Sequence, residues 1–133
     1  MSSLIESVGL MSGAPREELR LYCVVRGDIE MPVGKLVAQA GHAFVGALRV
    51  ATETAPHLAE RYLADSQPKI TLQAKSLAVL ERAARECKDA GIIHHLVIDE
   101  GRTVFNEPTV TCLGIGPVLR DRLPKFVSKL RLY

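Results

Sequence analysis

The segment Leu21–Ala43, LYCVVRGDIEMPVGKLVAQAGHA, decides the reading of this chain. LYCVV is a short β-prone apolar run and reads as a buried strand. RGDIEM follows as a loop, and Pro32 suits the first position of a helix, where its missing N–H costs nothing. The helix should run to about Thr54, because Pro56 disfavours helical backbone just before it. A strand feeding a long helix through a short loop begins a βα unit, in which helices separate parallel strands and cover the sheet.

The remaining chain continues that pattern. PHLAERYLA is a short second helix that SQP breaks. KITLQA, Lys69–Ala74, is a second strand. Ser76 caps the next helix and Gly91 ends it, while Leu77, Leu80, Ala84 and Cys87 give it an apolar stripe. IIHHLVI, Ile92–Ile98, is a third strand closed by Asp99. EGRTVFNEP is a loop, TVTCLGI, Thr109–Ile115, a fourth strand, and Gly116-Pro117 should turn the chain into a last, basic helix. With no helix between them, the third and fourth strands should pair antiparallel. The expected fold class is α/β: a three-layer α/β/α sandwich on a small four-stranded mixed sheet. Residues 17–133 form one domain, preceded by a flexible N-terminal extension, residues 1–16.

Composition narrows the function classes. Of 133 residues, 47% are apolar and 24% charged, which is ordinary for a globular protein, and the formal charge of +2 is too small to imply nucleic acid. Its distribution is less even: Arg120, Arg122, Lys125, Lys129 and Arg131 face one acid, Asp121, near the C-terminus. That run reads either as a phosphate contact or as a solvated helix face. The three cysteines, Cys23, Cys87 and Cys112, are odd in number and lack zinc-ligand spacing, so a reduced cytoplasmic setting without a bound metal is expected. The first residues lack the basic start and apolar core of a signal peptide, and no apolar run is long enough to span a bilayer.

Within the opening helix, Lys35, Gln39, His42, Gly46 and Arg49 recur at spacings of 4, 3, 4 and 3 and share one narrow face. Val37, Gly41, Phe44, Leu48 and Ala51 should form the neighbouring apolar face. A solvent-facing stripe is the plain explanation, but Lys35 resists it, since a cation in the first turn opposes the helix dipole by ~0.3–1 kcal/mol. Beside Gly34, Lys35 could instead point across the strand ends, where ligands bind in open α/β sheets. Asp99, Glu100, Arg102 and Thr103 fall within five residues, and Thr109 and Thr111 share a strand face that an antiparallel partner would bring near Asp99. His94 and His95, adjacent in a strand, should point to opposite faces and make a poor metal pair. No nucleophile elbow, Walker loop or Cys-x-x-Cys is present, which argues against serine or cysteine catalysis.

These blocks resemble the type 2 peptidyl-tRNA hydrolase family. The first matches at Arg26, Asp28, Met31, Gly34, Lys35, Ala38, Gln39, His42 and Ala43. QPK, Gln67–Lys69, matches the lead into the second strand, and DEGRT with TVTCLGIGP the block after the third. The resemblance implies an α/β/α sandwich on a four-stranded mixed sheet, often as a homodimer. It also implies hydrolysis of the ester between a peptide and the tRNA 3′ end, with no cofactor. By the same resemblance Lys35, Asp99, Thr103 and Thr111 are the catalytic candidates. Asp99 would orient or activate water, Lys35 would face the oxyanion or the terminal ribose-phosphate, and the threonines would hold the network. Gln39 and His42 are expected at the substrate, and Arg49, Arg102, Arg120, Arg122, Lys125 and Lys129 at tRNA phosphates. The chain departs from the usual family pattern at Ala40, Gly41 and Val104 on the expected rim. This leaves a second reading open, a weak or inactive relative that binds RNA or a protein.

Overall fold

The computed structural model describes residues 17–133, so the expected N-terminal extension, residues 1–16, lies outside the described residues. Strand β1 (Leu19–Arg26) leads through a short loop into helix α1 (Val33–Thr54), and α2 (Pro56–Leu63) follows with Pro56 opening its first turn. Strand β2 (Lys69–Ala74), helix α3 (Leu77–Asp89), strand β3 (His94–Asp99) and strand β4 (Thr109–Leu119) complete the main body. The Ser76 hydroxyl accepts from the Val79 N–H and caps α3 as expected. The sheet order is β3-β4-β1-β2-β5, where β5 is the short strand Arg131–Leu132, with β1 and β2 parallel and the β1–β4, β3–β4 and β2–β5 pairs antiparallel.

Two expectations about the C-terminal part need correction. The sheet has five strands, not four: β5 (Arg131–Leu132) pairs with β2, and the Tyr133 N–H donates to the Thr71 carbonyl at 2.9 Å. A two-residue strand is too short to show alternation. Gly116-Pro117 does not start a helix either. β4 runs straight through it to Leu119, and Gly116 takes a φ of 104° across a cis bond to Pro117. The β1–β4 register passes from Tyr22↔Ile115 to Arg20↔Val118, so two residues of β4 oppose one of β1. Such a bulge is a place where a strand tolerates proline. The chain beyond it holds only a 3-10 turn (Arg120–Arg122) and the single-turn helix α4 (Lys125–Ser128).

The sheet is covered on both faces. Tyr22, Val24, Leu72, Leu113 and Ile115 pack with Leu80, Ala83 and Cys87 of α3 and Val127 of α4. On the other face Cys23, Val25, Val97 and Cys112 meet Leu36, Ala40 and Ala43 of α1, while Leu19, Leu21 and Ala47 pack with Tyr62 of α2. The apolar face of α1 is rotated from the expected one: Val37 is 64% exposed, and Leu36, Ala40, Ala43, Phe44 and Ala47 point inward.

Small residues allow this seating. A Cβ at Gly114 of β4 would collide with the Ala43 carbonyl and lie 3.2 Å from the Ala43 Cα. Both obstacles are backbone, which cannot rotate aside. Gly114→Ala should therefore destabilise the fold by ~1–3 kcal/mol, as overpacked cores do. The check is a denaturant midpoint, and an unchanged midpoint would show that α1 is not seated this closely.

Candidate active site

α1 runs antiparallel to the edge strand β3, and a cleft of about 670 Å³ opens between them. The stripe Lys35, Gln39, His42, Gly46 and Arg49 lines its helix wall, and residues 95–99 of β3 with Glu100, Arg102 and Thr103 line the other. The stripe follows the seam between helix and edge strand: Gln39 is buried, Lys35 and Gly46 are half-buried, and His42 and Arg49 are exposed.

Lys35 finds its partners at the carboxyl end of β3. Its Nζ donates to Asp99 Oδ1 at 2.5 Å and to Thr103 Oγ1 at 2.8 Å, and lies 6.0 Å from the centre of the Phe105 ring. The second Asp99 oxygen accepts from the Gly101 N–H at 2.9 Å. The Lys35 and Asp99 side chains are only 15% and 10% exposed. The loop that supplies Thr103 is tightly folded: Gly101 has a φ of 82°, and a Cβ there would press on the Glu107 backbone at 2.5 Å. The Lys35 hydrogen bond, followed by the Gly101 N–H, holds the Asp99 carboxyl below the usual carboxylate range. α1 has no acid of its own in its first turn, so the misplaced cation is compensated across the cleft instead.

The threonines divide. Thr111 does not reach Lys35; its buried hydroxyl donates to Gln39 Oε1 at 2.5 Å. The β3–β4 register passes from Val97↔Cys112 to Ile98↔Val110, which leaves Thr111 as the extra residue of a bulge. Cys112 packs under α1 and Val110 against the opposite layer, so the bulge turns Thr111 toward the helix. With Oε1 committed to Thr111, the Gln39 amide presents its NH₂ group to the cleft. Thr109 donates to the Glu107 carbonyl and stays outside this network.

Of the expected phosphate contacts, Arg49 and Arg102 line the cleft, and the Arg102 guanidinium lies 3.0 Å from Glu100. The C-terminal cations are elsewhere. Arg120 and Lys125 border a separate hollow with Tyr22 and Leu72, on the α3 side of the sheet. Arg122 borders another, with Thr54 and Leu58 at the far end of α1, and Lys129 is exposed and lines none of these hollows. His94 and His95 do diverge: His94 Nδ1 lies 2.9 Å from the Ile92 carbonyl, whereas the His95 ring lies against Gly46. His95 and Phe105 were not singled out as site residues by the sequence, because a histidine in a strand and a phenylalanine in a loop carry no periodic signal. The Arg26–Asp28 pair, at 2.8 Å, and the Arg26 bond to the Val110 carbonyl brace the loop that enters α1.

The Asp99 carboxylate gives a signed test. A carboxylate depressed in the folded state contributes stability above the ordinary unfolded value of ~3.9, and that contribution is lost as pH falls through the folded value. Lys35→Met should raise the Asp99 titration toward the ordinary range, read by carboxyl NMR. Asp99→Asn should flatten stability against pH below about pH 4. A wild-type Asp99 titrating at the ordinary value would show that the pair does not form in solution.

The chain matches the family model "Peptidyl-tRNA hydrolase PTH2" over residues 19–133. It is 35% identical over 114 residues to the peptidyl-tRNA hydrolase of Methanothermobacter thermautotrophicus, covering 86% of this chain and 99% of that one. With the Methanopyrus kandleri peptidyl-tRNA hydrolase it shares 39% over 109 residues, covering 82% and 93%. A mitochondrial peptidyl-tRNA hydrolase 2 from Bos taurus is 34% identical over 116 residues, covering 87% of this chain and 65% of that protein. A match across nearly all of the described sheet and both walls of the cleft, with relatives at this identity, means that the chain belongs to the PTH2 family of peptidyl-tRNA hydrolases.

Proposed function

We propose that this protein hydrolyses the ester joining a peptide, or an N-blocked amino acid, to the 3′ end of tRNA. The observation that carries the reading is the Lys35 ammonium held between Asp99 and Thr103 at one end of an open, cation-lined cleft. Water attacks the ester carbonyl and the acyl C–O bond breaks; one of the water's protons ends on the departing ribose oxygen, the other passes to solvent, and the peptide leaves as a carboxylate. A carboxylate held below its usual pKa is a weak proton acceptor but a well-oriented hydrogen-bond acceptor. Asp99 accordingly orients the attacking water. Lys35 and the Gln39 NH₂ group, one helical turn apart, face the developing oxyanion. Thr103 steadies Lys35, and Thr111 acts through Gln39 as a positioning residue. His42, Arg49 and Arg102 attend the RNA, and the C-terminal cations, which open onto other hollows, are left out of the contact. The three buried, unpaired cysteines support a reducing, cytoplasmic setting.

The departures at the expected rim do not favour an inactive binding module. Ala40 packs into the layer beneath α1, Gly41 has open space around it, and neither these nor Val104 line the cleft.

Purified protein should release tRNA from N-acetyl-aminoacyl-tRNA faster than spontaneous hydrolysis; no release from folded protein would sink the reading. Lys35→Met and Asp99→Asn should each slow single turnover by ~10²–10³, and the double variant should lose much less than the product if the two act as a unit. For RNA affinity, single-strand contacts contribute ~0.7 to the log–log salt slope per phosphate. Replacing Arg49 and Arg102 by Gln should lower that slope by roughly 1.4, whereas neutralising Arg120, Arg122, Lys125 and Lys129 should leave it unchanged. The opposite pattern would move the RNA to the other face of the sheet.

A further inference from the structure

The end of the cleft away from Lys35 has a construction of its own. Gly46 of α1 and His95 of β3 meet there, and the imidazole occupies the space where any other residue at position 46 would carry its Cβ: the position of such a Cβ is 2.5 Å from His95 Nε2 and closer still to Cδ2. The ring thus lies against the helix backbone, partly buried, while its residue still lines the cleft. Its nitrogens make no hydrogen bond within the described residues, and no buried polar side-chain atom among those residues lacks a partner, so neither nitrogen is fully enclosed. Arg49 borders the same end, exposed and with no ion-pair partner among the described residues.

The position of this pair relates to the reacting end. His95 lies four residues from Asp99, about 13 Å along a strand, and Gly46 eleven residues from Lys35, about 17 Å along a helix. Both walls therefore hold the imidazole well away from the Lys35–Asp99 pair. Burial, then the Arg49 cation, push the His95 pKa below its ordinary value, so the ring is a neutral aromatic surface at neutral pH. A neutral aromatic face beside an unpaired guanidinium suits a nucleobase and its phosphate: stacking tolerates any base, and the cation follows the backbone.

We propose that His95, seated on Gly46, stacks a base of the single-stranded tRNA 3′ end upstream of the esterified nucleotide, with Arg49 on the adjoining phosphate. The proposal rests on the tRNA-ester reading above and adds a second RNA subsite to it. His95 is a binding residue here and takes no part in the ester cleavage.

The test compares one N-acetyl-aminoacyl ester carried on whole tRNA, on a trinucleotide and on adenosine alone. His95→Ala should raise KM for the tRNA and trinucleotide esters about tenfold, in line with the loss of one base–aromatic stack. The ratio of kcat/KM for the tRNA ester to that for the adenosine ester should fall by the same factor. Gly46→Ala should reproduce the loss by displacing the ring. The Gly46→Ala/His95→Ala double variant, in which the space is free again, should lose no more than His95→Ala alone. His95→Phe, which keeps a π-face, should retain most of the wild-type ratio. A His95 that only fills space would lower the thermal midpoint and change all three esters alike, which overturns the proposal, as does a His95→Phe variant no better than His95→Ala. If the wild type cleaves none of the esters, it is the hydrolase reading that fails; if it cleaves them and the ratios do not move with His95, only the subsite fails.

Discussion

The close seating of α1 on β4 is the constraint on which the rest depends. Gly114 offers no side chain at the point where the Ala43 backbone crosses it, and Ala40, Ala43 and Ala47 keep the helix low over the sheet. A helix at this depth brings its flanking stripe level with the edge strand. Lys35 then reaches Asp99, Gln39 reaches Thr111, and Gly46 meets His95. Raising the helix by the width of a methyl group would break these contacts together, since protein interiors transmit strain and do not absorb it locally.

The cleft is polar at its Lys35 end without leaving buried charge uncompensated. Each charged group there has an opposite or neutral hydrogen-bonding partner: Lys35 with Asp99 and Thr103, Asp99 also with the Gly101 N–H, Arg102 with Glu100. Such pairing suits preorganisation, because donors already fixed in place need not reorient when charge develops on a substrate. The two bulges of β4 serve different ends. One turns Thr111 under α1 to hold Gln39; the other passes Gly116-Pro117 through the strand without ending it.

The sequence by itself determined the βα start, the boundaries of α1, the cap at Ser76, the mixed pairing of the main strands and the helical face shared by Lys35, Gln39, His42, Gly46 and Arg49. These are local matters: a helical period, a proline or a capping hydroxyl acts within a few residues, so short windows carry them. The anomaly of a lysine in a first helical turn was also legible, since it conflicts with the local dipole. Only the tertiary structure decided which partner resolves that anomaly, that Thr111 serves Gln39 and not Lys35, and that the C-terminal cations lie off the cleft. It alone decided the true inward face of α1, the fifth strand and the His95–Gly46 contact. Each of these turns on a bulge, a two-residue pairing or the approach of segments far apart in the chain. Such features are set by packing between elements, and no period along the sequence encodes them.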